Sequence, residues 1–228
     1  METKHVTGLP EIKGGGGDPS PVTAYGTYMG MKAAAKKAFG SDSLSGKKIC
    51  VQGVGQVGKY LIEYLIKEGA EVLITDIFED KLKKVALDTG AVAIDPNLIY
   101  DMDMDIYAPC ALGATINDDT IDRLKCAVIA GGANNQLKDE AKHGQILLEK
   151  GIIYAPDFLI NAGGVINVGA EYFGGYNREI VYKQAEKIYD TCLYILNKSE
   201  KENIPAQQAA IEAAKERINA IGRVKLSF

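Results

Sequence analysis

Between residues 47 and 157, strand-like and helix-like runs take turns along the chain, and this alternation limits the possible folds more than any other feature. KKICVQG, EVLITD, AVAI, DIYAPC, CAVIAGG and GIIYAPD read as short apolar strands. Residues 59–67, 79–89, 118–124 and 139–150 read as the helices among them, with Gly69 and Gly90 closing the first two. Strands separated by helices of this length predict right-handed βαβ units, and so an α/β fold with a doubly wound, mostly parallel sheet. After Asp157 the strand signals stop, and residues 161–173, 177–198 and 205–221 read as C-terminal helices. Residues 1–20 read as a lead-in segment with a glycine run, Gly14 to Gly17. A long helix is expected over 21–39, with Ser20 as its cap, Pro21 at its first position and Gly40 as its stop.

Composition excludes some functions. Of 228 residues, 46% are hydrophobic and 25% charged, enough apolar material for a core and too much for a disordered chain. A net charge of −4 supplies no basic face, so no nucleic-acid partner is expected. No apolar run approaches the roughly 20 residues that cross a bilayer, and the N-terminus lacks the apolar centre of a signal peptide. Cys50, Cys110, Cys126 and Cys192 are widely spaced, which suits a reduced, cytoplasmic protein with free thiols. His5 and His143 lie far apart with polar neighbours, so surface positions are expected and no metal site.

The stretch VQGVGQVG carries Gly53-x-Gly55-x-x-Gly58, a weak pattern in a chain with 25 glycines. Its context strengthens it, because the motif ends one strand and opens a helix, and the next strand ends in Asp76. This is the pattern of a Rossmann-like dinucleotide site. Gly53 would permit the tight turn, Gly55 close approach of a pyrophosphate, and Gly58 close packing of helix on strand. Gln56 and Val57 would open the helix beside Val54, offering the phosphates unpaired N–H groups and a positive dipole end. Asp76 can accept the ribose hydroxyls and would repel a 2′-phosphate, so NAD is expected over NADP. Three small-residue loops fall at other strand ends: 108–113, Gly131 to Asn135 with Ala133 and Asn134, and Asn161 to Gly164. Such loops let a flat ring lie against backbone, and asparagines can both donate to and accept from a carboxamide. The expected division is therefore a lead-in over 1–20 and a dinucleotide-binding domain with its helical segment over 21–228.

GDPSPVTAYGTYMGMKAAAKKAFG, VQGVGQVGKYLIEYL, DIYAPCALGATINDDTI, IAGGANNQL and PDFLINAGGVINV together resemble the glutamate/leucine/phenylalanine/valine dehydrogenase family, over nearly the whole chain. That resemblance implies NAD-dependent oxidative deamination of an L-amino acid to a 2-oxo acid and ammonia. It implies that Pro109, Cys110 and Ala111 line the adenosine and ribose path and that Asn134 lies near the nicotinamide ribose. It also implies that Thr23 and Asn161 orient the carboxamide. The family's catalytic lysines belong to a substrate domain that precedes the dinucleotide domain, and no counterpart is found here, so no catalytic residue is assigned. Lys13, beside the glycines, reads as a loop lysine. The expectation is a truncated, monomeric or weakly dimeric NAD-binding domain. Two alternatives stay open: half of a split dehydrogenase that needs a separate substrate domain, and a protein that uses the fold without cofactor.

Overall fold

The computed structural model describes residues 6–172 and 175–222; His5 and Phe173 lie outside them. Six strands form one parallel sheet: β1 (Lys48–Gln52), β2 (Glu71–Thr75), β3 (Val92–Ala93), β4 (Ile106–Pro109), β5 (Val128–Ile129) and β6 (Ile153–Tyr154). Their spatial order is β3-β2-β1-β4-β5-β6, with every pairing parallel. The winding reverses between β1 and β4, and in open α/β sheets the ligand crevice lies at that reversal, beyond the carboxyl ends of the strands.

Nine helices occur among the described residues. They are α1 (Ser20–Phe39), α2 (Gln56–Glu68), α3 (Glu79–Thr89), α4 (Glu140–Glu149), α5 (Asp157–Ile160), α6 (Gly163–Tyr172), α7 (Arg178–Glu186), α8 (Ile188–Glu202) and α9 (Ala206–Gly222). Side chains on a strand alternate between faces, and the core is divided accordingly. Ile49, Val51, Ile106, Ala108 and Val128 join a cluster with α1, α2 and α8 on one face. Cys50, Tyr107 and Ile129 join Ile116, Leu124 and Leu147 on the other. Near-continuous apolar strands such as KICVQ follow from burial on both faces. No helix among the described residues is long and apolar enough to cross a membrane.

Several sequence expectations need correction. Ser20 is the first helical residue of α1, not its cap; Pro19 holds the cap position, and Asp18 accepts the Ser20 N–H at 2.9 Å. Residues 118–124 form turns rather than a helix. Ile121 makes one helical bond to Asn117, and the Thr120 hydroxyl turns to the Thr115 carbonyl, so no second turn propagates. The span 161–173 is divided, with Asn161 in the turn between α5 and α6, and the span 177–198 breaks at Lys187. His143 is buried, not superficial. Its Nδ1 accepts the Asp139 N–H at 3.0 Å and its Nε2 meets the Asp118 carboxylate at 3.1 Å, which ties the start of α4 to the turn region.

The lead-in is docked rather than slack. Lys13 ends an exposed 3-10 turn, Glu11–Lys13, whereas Gly15 and Gly16 are buried. A Cβ on Gly15 would strike Leu9, and one on Gly16 would lie 2.7 Å from the Asn167 amide. The Glu171 carboxylate accepts N–H groups from Gly8, Leu9 and Gly16 at 2.9–3.1 Å, clasping this segment to α6.

Candidate dinucleotide site

The glycine turn lies between β1 and α2, on one side of the winding reversal. Gly53 adopts φ +100°, and its N–H donates to the Thr75 carbonyl at 2.7 Å. A Cβ there would lie 2.6 Å from the Ala111 nitrogen, so the loops after β1 and β4 pass each other at a distance only glycine permits. Gly58 packs against the Gly53 carbonyl. Gly55 differs, since nothing lies within 4 Å of the place its Cβ would take. It sits at the cap position of α2 without a side-chain cap, and the first turn of α2 holds no acid. The free space above Gly55 and the uncapped N–H groups fit an anionic group such as a pyrophosphate.

Asp76 follows β2 and faces this turn. Its Oδ2 accepts the Val54 N–H at 2.8 Å and its Oδ1 the Phe78 N–H at 3.0 Å. Sequence spacing gave no sign of this bracing role. Val54 is 1% exposed and Val57 packs toward Gly132, so both support the turn, while Gln56 is exposed at the start of α2. Gly53, Gly55, Asp76, Cys110 and Ala111 line one cleft of about 370 Å³. Pro109 is buried at the end of β4, beneath it. Its carbonyl accepts the Ala133 N–H at 3.0 Å and lies against Gly131, which joins the two loops on the far side of the reversal. The Cys110 thiol accepts the Gly132 N–H at 3.4 Å; burial pushes it up to about 11, with that N–H acting in the opposite sense. It is therefore a packed thiol, not a nucleophile.

Beyond Gly132, the Asn161 amide donates to the Asn134 side-chain oxygen at 2.6 Å. The structure thus joins two residues that are 27 positions apart. Two supports were not foreseen from sequence. Gln136 is fully buried and donates to the Gly131 and Ala133 carbonyls at 2.7 and 2.9 Å, while its own N–H donates to Asp157 at 3.1 Å. They stand beside the motifs in GGANNQL and APD but carry no spacing signal. Thr23 lies on α1 against Gly163 and Gly164, and its hydroxyl donates to the Pro19 carbonyl at 3.0 Å. It adjoins the Asn161 turn without a bond to Asn161. Among the described residues no group of three or more His, Cys, Asp or Glu side chains is arranged to hold a metal ion.

The glutamate/leucine/phenylalanine/valine dehydrogenase family model matches residues 14–77 and 74–224. Leucine dehydrogenases from Thermoactinomyces intermedius and Bacillus subtilis are 53% and 55% identical over 227 residues. Each match takes in 100% of this chain and 62% of the relative, so the chain spans about three fifths of their length. The crystal structure of L-tryptophan dehydrogenase from Nostoc punctiforme superposes with a TM-score of 0.88 at 42% identity, over 91% of this chain and 63% of that one. A glutamate dehydrogenase from Thermus thermophilus, 21% identical, shares the fold with a TM-score of 0.77, over 98% of this chain and 57% of that one.

Proposed function

The chain belongs to the glutamate/leucine/phenylalanine/valine dehydrogenase family, and on that premise we propose that it is the NAD(H)-binding unit of a leucine dehydrogenase-like enzyme. The proposed overall reaction is oxidative deamination of branched-chain L-amino acids to 2-oxo acids and ammonia. The observation that carries this reading is the glycine turn at the winding reversal, with Asp76 on one side and the Asn134–Asn161 pair beyond the other.

In this reading the open space over Gly55 and the N–H groups of α2 receive the pyrophosphate. Asp76, already fixed by two backbone N–H groups, turns its remaining lone pairs to the adenosine ribose and disfavours a 2′-phosphate. Pro109, Cys110 and Ala111 bound the adenosine path. Asn134, Asn161 and Thr23 hold the nicotinamide ribose and carboxamide. The bound nicotinamide supplies hydride acceptance; the chain's contribution is to fix that ring's face and distance. Proton transfer is assigned to no residue here, so this segment binds cofactor without turnover unless a substrate-binding portion accompanies it. Supply of that portion by a separate chain is the second form of the proposal, and restored activity on mixing would support it.

The test is a titration with NADH, followed by an L-leucine deamination assay on the same sample. Saturable binding without deamination supports the reading. Turnover by the pure segment refutes the binding-only form. Failure of saturating NADH to raise the melting temperature refutes the dinucleotide site, because a ligand of the folded state must stabilise it.

A further inference from the structure

A closed circuit of bonds begins and ends at the Asn134–Asn161 pair. Residues 131–135 follow β5 without forming helix or strand, and Asn135 takes φ +53°. Gln136 gives this loop both of its amide protons: Nε2 donates to the Gly131 carbonyl at 2.7 Å and to the Ala133 carbonyl at 2.9 Å. Two carbonyl oxygens facing one amide fix which end of it is nitrogen. The Gln136 backbone N–H donates to Asp157 Oδ2 at 3.1 Å, and Asp157 Oδ1 accepts the Phe158 N–H at 2.7 Å where α5 starts. At the far end of α5 the Asn161 N–H donates to the Asp157 carbonyl at 2.9 Å. The Asn161 side chain then returns to Asn134 Oδ1 at 2.6 Å, with the Gly132 carbonyl at 3.5 Å, and the circuit is closed.

Two side-chain amides can fix the face and distance of a flat ring only if their own positions are fixed first. Gln136 and Asp157, 0% and 9% exposed, are too deeply buried to reach that ring, so any effect on it passes through the asparagine pair. We propose that Gln136, with Asp157, is a positioning residue for the nicotinamide half of the dinucleotide. It holds the loop backbone on one side and α5 on the other, and so keeps Asn134 in register with Asn161. This rests on the dinucleotide reading and gives a role to two residues that touch no part of the cofactor in it. A pair held in place by the chain itself receives the ring without a further loss of loop freedom. The benefit is confined to the nicotinamide end, because Gln136, Asp157, Asn134 and Asn161 are all absent from the lining of the 370 Å³ cleft.

The test uses the chain as it stands, titrated by calorimetry with NADH and with ADP-ribose, which lacks the nicotinamide. The unmodified chain should bind NADH more tightly. Gln136→Met keeps the length of the side chain and removes its amide. It should cut the preference for NADH over ADP-ribose by about five- to tenfold, the effect of one net hydrogen bond or slightly more, and leave ADP-ribose binding as it was. In an Asn134→Ala background the same change should cost NADH nothing further, because Gln136 acts through Asn134. Asp157→Asn gives a second route where Gln136→Met fails to fold. Both Asp157 oxygens accept a backbone N–H, so an amide must turn its NH2 toward one of those donors, and the NADH preference should again fall. A preference unchanged in a folded variant overturns the proposal. So does an equal loss of NADH and ADP-ribose, or a loss that adds to that of Asn134→Ala. An unmodified chain that binds ADP-ribose as tightly as NADH overturns the positioning role alone, whereas binding of neither refutes the dinucleotide reading and this proposal with it.

Discussion

Asp76→Ala separates a cofactor ligand from a structural brace. Viewed only as a ribose ligand, Asp76 would leave the cofactor-free protein unaffected on removal. In the structure its carboxylate accepts the Val54 and Phe78 N–H groups at 2.8 and 3.0 Å. A hydrogen bond to a charged group contributes about 1.5–3 kcal/mol when shielded from water. The Phe78 bond is exposed, so water replaces the lost oxygen there at little cost. The Val54 bond is partly buried, on a residue whose side chain is in the core. Discounting the exposed bond leaves about 1–2 kcal/mol, which for a domain of this size lowers Tm by about 2–8 °C. Thermal unfolding followed by circular dichroism, without dinucleotide, measures it. An unchanged Tm in the cofactor-free variant would refute the bracing argument, whatever happens to binding. NADH and NADPH titrations on the same protein test the second role. With the carboxylate gone, Lys81 on the same cleft is left to face a 2′-phosphate, and the preference for NADH should narrow. An unchanged ratio would remove Asp76 from cofactor choice.

Gly58→Ala should cost about 1–3 kcal/mol in urea denaturation and weaken NADH, because the new methyl meets the Gly53 carbonyl; a variant of undiminished stability would contradict that packing. Burial acts to raise the Glu171 carboxyl, but the Leu9, Gly8 and Gly16 N–H groups outweigh it and hold it below its usual value. A depressed carboxyl stabilises the fold above its unfolded pKa and loses that contribution as pH falls through the folded one. Hydrogen exchange at residues 8–17 should therefore quicken as pH drops below the ordinary glutamate range, once corrected for intrinsic rates, and Glu171→Gln should quicken it at neutral pH. pH-independent protection would argue against the clasp. Burial pushes the Cys50, Cys126 and Cys192 thiols up to about 12 and Cys110 to about 11. The buried Cys50, Cys126 and Cys192 should resist a thiol-disulfide reagent at pH 8 until denaturant is added, and rapid labelling of any one of the three would contradict its burial.

Elements whose reasons are local were legible in the sequence. The strands from Lys48 to Thr75, the helix over 79–89 and the stops at Gly40, Gly69 and Gly90 follow from hydrophobic period and from glycines with φ between +75° and +90°. The glycine turn was legible too, because a strand, three glycines, a helix and an acid follow one another between Lys48 and Asp76. Tertiary structure alone decided the rest. Residues 118–124 carry helical spacing, yet Thr120 finds a better partner in the Thr115 carbonyl. His143 reads as a surface residue until Asp118 and Asp139 close around it. The run of four glycines carries no packing signal in sequence, yet Leu9 packs on Gly15, and Asn167 and Glu171 pack on and bond Gly16. Asn161 meets Asn134 because β5 and β6 pair side by side, and Thr75 and Thr115 line one cleft because the sheet reverses its winding between β1 and β4. A one-dimensional pattern reports which face a residue turns to the core; which distant residue waits there depends on strand order, and no local spacing encodes it.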